Sequence, residues 1–222
     1  FVLLYLSAAG GLYATMRACE AARAGGPWAG WLTLAGVTLT VAVYCMANGL
    51  AAVGLSVLLA VMLRAPKAMI ATLVVLFASL TAAYFHGYES TSKPGGLHYL
   101  ITHPEALPTY LSMFLGNILR DYPQREGVTA ALGIVGLGLC AAIAWRILVR
   151  RDLDPVRLVL VALMLFVLAA ALASGAGRIA DFGLIQALAP RYVTPTALFW
   201  SCQALYWTSV ARQEPGWRRS VS

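Results

Sequence analysis

Apolar residues form long blocks along this chain, and short clusters of basic residues separate the blocks. Several blocks fall at or below the roughly 17 residues that a helix needs to cross a ~30 Å hydrocarbon core. The blocks cover residues 1–16, 31–48, 49–63, 68–85, 128–145, 158–174 and 197–210. This pattern predicts an all-α fold, a polytopic transmembrane bundle of about seven helices that forms a single domain over residues 1–222.

The division between the second and third blocks rests on length. Residues 31–63 carry no charge, and as one helix they would measure about 50 Å at 1.5 Å per residue. Asn48 and Gly49 form a turn-favouring pair near the middle of this stretch. We therefore predict two short antiparallel helices that meet at Asn48. Asn48 is then either a simple turn residue or a polar side chain presented at a broken helix.

Composition excludes the other protein classes. Hydrophobic residues make up 60% of the chain and charged residues 11%, with a mean hydropathy of +0.76. A soluble domain is about half apolar and a quarter charged, so a soluble globule, a disordered chain and a disulfide-rich secreted domain are all excluded. Three of the four cysteines lie inside apolar blocks, where reduced, packed thiols are expected.

The net charge of +7 sorts to one side of the predicted membrane. One set of loops holds eleven basic and four acidic residues, and the opposite set holds five of each. By the positive-inside rule the first set is cytoplasmic, and the C-terminus lies on that side. Since topology accounts for the whole net charge, no nucleic-acid partner is implied.

The longest segment between the blocks covers residues 86–127 on the exoplasmic side. Apolar residues recur at helical spacing within residues 104–119, with Pro104 and Glu105 suited to a first turn. We expect a helix that lies on the outer interface or dips into it. Glycines at 133 and 136, and small residues over 173–177, are typical of close helix–helix packing.

Titratable residues leave the fourth block on the same side. His86, Tyr88 and Glu89 come first, and His98 and His103 follow. Ionisable groups at a membrane boundary are candidate functional residues, or else solvated loop residues. The histidine spacing does not match a helical ligand pair and no cysteine accompanies it, so we expect no metal site and no cofactor.

A second exoplasmic segment holds Arg178, Asp181, Arg191 and Tyr192. Arg178 and Asp181 are three residues apart, so they share a helix face and could pair. Two arginines at an outer membrane face also suit a phosphate or pyrophosphate, which guanidinium groups bind through paired hydrogen bonds. Both interpretations stay open: a phosphate site, or an Arg178–Asp181 pair with Arg191 at lipid headgroups.

Several short motifs resemble those of a largely uncharacterised group of bacterial multi-pass inner-membrane proteins. They lie at residues 45–50, 84–88, 114–116, 177–178 and 191–192. The plan of short paired helices with a long exoplasmic loop also resembles the C-terminal part of GT-C class membrane glycosyltransferases. The resemblance implies the bacterial inner membrane, with membrane lipid and a polyprenyl-phosphate-linked sugar as partners. It also implies that the arginines hold the donor phosphate.

The start of the chain affects how a function can be assigned to it. The chain begins at Phe1 inside an apolar block, with no initiator Met and no basic lead-in, so we expect it to be the C-terminal part of a longer protein. A preceding part would supply the general base, and no catalytic residue is assigned here.

Other functional classes fit the same pattern. The alternatives are a carrier or flippase for a lipid-linked or small polar solute, and a structural membrane subunit. A carrier should show charge near the bilayer midplane or inverted repeats, and the sequence shows neither.

Overall fold

The computed structural model describes residues 2–86, 99, 102–121 and 125–213 of the chain, and the regular elements in these segments are all helical. Eight α-helices of eleven residues or more are present in this part. They are α1 (Val2–Arg23), α2 (Ala29–Cys45), α3 (Gly49–Met62), α4 (Lys67–Phe85), α5 (Ala106–Gly116), α6 (Arg125–Arg150), α7 (Pro155–Phe182) and α8 (Val193–Gln213). Three short 3₁₀ segments lie between the later helices. Asn117–Leu119 follows α5, and Leu184–Leu188 and Pro190–Tyr192 lie between α7 and α8.

The predicted division at Asn48 is confirmed. Cys45 ends α2, Gly49 begins α3, and the intervening Met46 is extended. A Cβ at Gly49 would lie 2.3 Å from the backbone of Ala42, so only glycine lets α3 fold back so closely on α2. The far end of α3 returns to the end of α1, where the Arg23 guanidinium donates to the Leu63 carbonyl. Because α2 starts next to the end of α1, helices α2 and α3 are antiparallel.

The predicted helix over residues 104–119 is also confirmed, and it lies inside the bundle rather than on its surface. Its side chains Tyr110, Phe114 and Leu115 are fully buried against α6, α7 and α8. The backbones of α5 and α6 almost touch, because a Cβ at Gly116 would lie 1.8 Å from the Thr129 oxygen. A Cβ at Gly133 would meet the Ser112 oxygen at the same distance, so the helices run antiparallel. The prediction of close packing at Gly133 is confirmed.

Among the described residues, four helices are long and apolar enough to cross a membrane, namely α1, α4, α7 and the part of α6 over Glu126–Arg150. The hairpin of α2 and α3 is apolar but shorter, with 17 and 14 residues.

Helices α6 and α7 both continue beyond the predicted blocks. Asp154 starts α7 by accepting the Arg157 backbone N–H at 3.0 Å, and Pro155 occupies the first helical turn.

The two ends of the bundle differ in their side chains. The basic end comprises the ends of α1, α3, α6 and α8 and the starts of α2, α4 and α7. There Arg157 of α7 binds Ser209 of α8, and Asp152 lies between Arg146 and Arg157. The loop end is opposite, and comprises Asn48, His86, the end of α5 with its 3₁₀ turn, and the connection from α7 to α8. For the charged residues that the structure describes, the sorting inferred from the sequence therefore corresponds to the two ends of the structure.

Candidate functional site

Three hydroxyl groups from separate elements meet at the loop end. The Tyr110 hydroxyl of α5 lies 3.2 Å from the Ser174 Oγ of α7, and the same Oγ lies 2.5 Å from the Tyr192 hydroxyl. Tyr192 belongs to the 3₁₀ turn before α8 and is only 6% exposed, and its ring packs 4.8 Å from that of Phe114. The hydroxyl chain fixes the Tyr192 ring between α5 and α7.

Arg191 lies against the face of the Tyr192 ring. Its guanidinium carbon is 5.1 Å from the ring centroid, which is a cation–π contact, and the side chain is half-buried. Burial raises the pKa of the Tyr192 hydroxyl, but its hydrogen bond with Ser174 and the nearby Arg191 charge outweigh burial. The pKa of Tyr192 therefore lies below its ordinary value. The positive charge of Arg191 therefore favours the ionised form of the Tyr192 hydroxyl.

Asn117 ties the connection between α7 and α8 to the end of α5. Its side-chain amide donates to the Ala187 carbonyl at 2.9 Å and to the Ala189 carbonyl at 3.0 Å. The side chain is fully buried, and its Oδ1 has no hydrogen-bond partner in the structure. These two bonds hold the turn that carries Arg191 and Tyr192.

The first turns of α8 are joined to α5 as well. Thr196 donates to the Phe114 carbonyl at 2.9 Å, and the Trp200 indole donates to the Leu115 carbonyl at 2.9 Å. The Phe114 carbonyl also accepts the backbone N–H of Asn117, so both donors bind carbonyls in the last turn of α5. The site is consequently supported by α5, α7 and α8 together.

Among the residues predicted from the sequence, the structure brings three into this group. Arg191 and Tyr192 are in contact, and Arg178 lies one helical turn beyond Ser174 on the same face of α7. Arg178 and Asp181 are both exposed near the end of α7. The structure contains no ion pair between Arg178 and Asp181, and the choice between the two interpretations of this segment stays open.

The remaining predicted residues lie elsewhere or outside the described segments. Asn48 is half-buried at the start of α3, and its side chain caps no backbone group there. His86 is exposed directly after α4. Tyr88 and Glu89 lie outside the described residues, as does the rest of the loop over residues 87–98, 100–101 and 122–124. Within the segments that the structure describes, no group of three or more metal-ligating side chains occurs.

Sequence reasoning missed Tyr110, Ser174 and Asn117. Tyr110 lies in a predicted helix and Ser174 opens the segment that holds Arg178, but they are 64 residues apart. No pattern of spacing pairs positions that distant, and only packing of α5 into the bundle brings them together. Asn117 carried no signal beyond being a polar residue at the end of an apolar run.

Comparisons of the chain with protein-family models, with curated proteins and with solved structures give no match, so the argument for its function rests on the geometry of the loop end.

Proposed function

We propose that the chain is the membrane-embedded part of a GT-C-like bacterial glycosyltransferase that binds a polyprenyl-phosphate-linked sugar at the loop end. The observation that carries this proposal is Arg191 on the face of Tyr192, with Arg178 in the same group. A guanidinium held in a fixed orientation can offer parallel N–H donors to a phosphate, which a freely rotating cation cannot do as well. Neither arginine forms an ion pair with an acidic residue that the structure describes.

The membrane placement follows from apolar surface and charge. Four helices are long and apolar enough to span, and many large apolar side chains on them face outward, such as Val75 and Ile134. Because the basic residues concentrate at one end, we place the basic end and the C-terminus in the cytoplasm. The loop end is then exoplasmic, at the surface of the inner membrane, where a lipid-linked donor presents its phosphate.

Each residue of the loop end then has a definite role. Arg178 and Arg191 bind the phosphate, and the chain of Tyr110, Ser174 and Tyr192 positions Arg191. Asn48 precedes α3 and His86 follows α4 at the same side, so they are candidates for contacts with the sugar. No residue of the described segments is assigned as the general base.

A carrier or flippase is the less favoured alternative. Such proteins use charged side chains near the membrane midplane to bind their cargo. Among the charged side chains that the structure describes, Arg157 alone is fully buried, and it lies at the basic end with Asp152 as its partner. The structure offers no feature that favours a purely structural subunit over a ligand-binding protein.

The proposal is tested by measuring the binding of a polyprenyl phosphate to the purified chain in detergent. Arg191→Lys and Arg178→Lys keep the charge and lose the paired donors, so each should weaken binding by about tenfold. Asp181→Asn removes a nearby negative charge and should leave binding unchanged or tighter. Arg120→Lys is the matched control at the same end. Equal binding by all four variants would overturn the proposed phosphate site.

A further inference from the structure

Helices α6 and α7 leave an apolar groove between them near the basic end. The groove has a volume of about 240 Å³, and α3 contributes one of its walls. Its lining includes Met62 of α3, Ala144 and Leu148 of α6, and Val161 and Leu165 of α7. Leu148 is 77% exposed and Leu165 is 41% exposed, so the groove opens sideways from the bundle.

Three basic residues lie close along the chain to the lining of this groove. Arg64 follows Met62 by two residues, and Arg150 and Arg151 follow Leu148 by two and three residues. All three arginines are exposed, and none forms an ion pair with an acidic residue in the described segments.

The nearby carboxylates do not neutralise these three charges. The Asp152 Oδ2 lies 2.7 Å from Arg157 and 3.8 Å from Arg146. The Asp154 carboxylate accepts the backbone N–H of Arg157 at the start of α7. Both acidic groups are therefore engaged at the junction of α6 and α7, and the mouth of the groove keeps its positive charge.

We propose that this groove binds an anionic diacyl phospholipid of the cytoplasmic leaflet. An acyl chain fills the apolar groove, and Arg150 and Arg151 hold the phosphate at its mouth. Basic pockets between transmembrane helices on the cytoplasmic side are a recognised mode of anionic headgroup binding. The combination of an apolar slot and an uncompensated basic rim fits a lipid better than a second protein helix, whose apolar face would leave the charges unanswered. This site lies at the opposite end from the proposed donor site and does not depend on it.

Native mass spectrometry of the purified chain in detergent, titrated with phosphatidylglycerol or with phosphatidylcholine, tests this proposal. The wild-type chain should bind phosphatidylglycerol more tightly. Each basic residue near an anionic surface contributes roughly a fivefold gain in affinity, so the double variant R150Q/R151Q should lose on the order of 20-fold for phosphatidylglycerol. Both positions are exposed, so the variant should fold normally. R212Q removes a basic residue at the same end but away from the groove, and it should change affinity less than twofold.

A second pair of variants tests the acyl chain. Ala144→Phe fills the groove and should weaken the binding of both lipids, whereas Ala141→Phe, on the same helix but outside the lining, should not. Equal wild-type affinity for the two lipids would overturn the proposal. It would also be overturned if R212Q lost as much as R150Q/R151Q, since binding would then report overall charge alone. Unchanged binding in Ala144→Phe would show that the groove does not hold the lipid.

Discussion

At the scale of single residues, Arg157 shows how this chain places a charge inside an apolar bundle. Its side chain is 5% exposed and makes three bonds: to Asp152 at 2.7 Å, to the Ser209 hydroxyl at 2.7 Å and to the Ser209 carbonyl at 3.1 Å. A buried charge is tolerated when its partners satisfy it, and removal of one partner leaves the other uncompensated. Arg157 therefore joins α7 to α8 through contacts that depend on one another.

Replacement of Arg157 should be strongly destabilising. We expect Arg157→Ala to lower the free energy of unfolding by about 3–5 kcal/mol, because the partly buried Asp152 and Ser209 lose their partner. Arg150→Ala removes an exposed arginine from the same end and should cost less than about 0.5 kcal/mol. Thermal unfolding of the purified chain in detergent measures both. Similar losses in the two variants would contradict a structural role for the buried network.

The second prediction at this scale concerns the Tyr192 hydroxyl, whose pKa the fold holds below its ordinary value. Ser174→Ala and Arg191→Gln each remove a group that favours the phenolate, so each should raise that pKa. Ultraviolet titration, with Tyr192→Phe subtracted to isolate the signal, measures the change. Ser201→Ala, an exposed serine on α8, should leave the titration where it is. No change in Ser174→Ala would contradict the hydroxyl chain.

The lowered pKa of Tyr192 also determines the pH range over which its ionisation stabilises the fold. The folded state favours the ionised form of Tyr192, so the contribution to stability is complete only above the pH at which a free tyrosine ionises. It disappears as the pH falls through the lowered pKa of the folded state.

At the scale of elements, the crossing of α5 and α6 decides whether the site forms. Gly133 allows the two backbones to touch, whereas a Cβ at Gly138 on the same helix would meet no atom within 4 Å. Gly133→Ala should therefore cost about 1–3 kcal/mol through overpacking. Gly138→Ala should gain up to about 1 kcal/mol from helix propensity. Thermal unfolding measures both, and equal effects would contradict the close crossing.

Sequence patterns predicted the elements better than their positions. The helix break at Asn48 was predictable because a charge-free stretch of residues 31–63 is too long for one crossing and contains a turn pair. The helix at α5 was predictable from its apolar spacing. The insertion of α5 into the bundle could not be predicted from the sequence. It depends on the close approach of Gly116 to the Thr129 backbone and of Gly133 to the Ser112 backbone, which are tertiary contacts.

The ends of the helices and the site show the same limit. Helix α7 extends to Phe182, beyond the apolar block that ends at residue 174, since a helix can continue past the membrane-like segment on backbone hydrogen bonds alone. Arg191 and Tyr192 were identified from the sequence because charge and position marked them. Their support by Ser174 and Tyr110 depends on tertiary contacts, which no local pattern encodes.

At the scale of the whole molecule, the α2–α3 hairpin raises a question of length. With 17 and 14 residues, these helices measure about 25 Å and 21 Å, which is less than a ~30 Å hydrocarbon core. A short hydrophobic segment can still cross where the bilayer thins around it, at a modest cost. Charge supports the crossing, since Arg23 and Arg64 flank the hairpin at the basic end and the turn at Asn48 carries no charge.

Cysteine labelling in intact spheroplasts tests this arrangement across the whole chain, with Cys45 and Cys140 replaced by alanine. Ala47 and His86 are exposed at the loop end, and Leu153 is exposed between α6 and α7 at the basic end. An impermeant maleimide should react with cysteines at 47 and 86 from outside, and with a cysteine at 153 only after the membrane is permeabilised. If the cysteine at 47 reacts from neither side, the hairpin does not cross. If the cysteines at 86 and 153 react from the same side, the two ends do not face opposite compartments, and the proposed exoplasmic donor site is wrong with them.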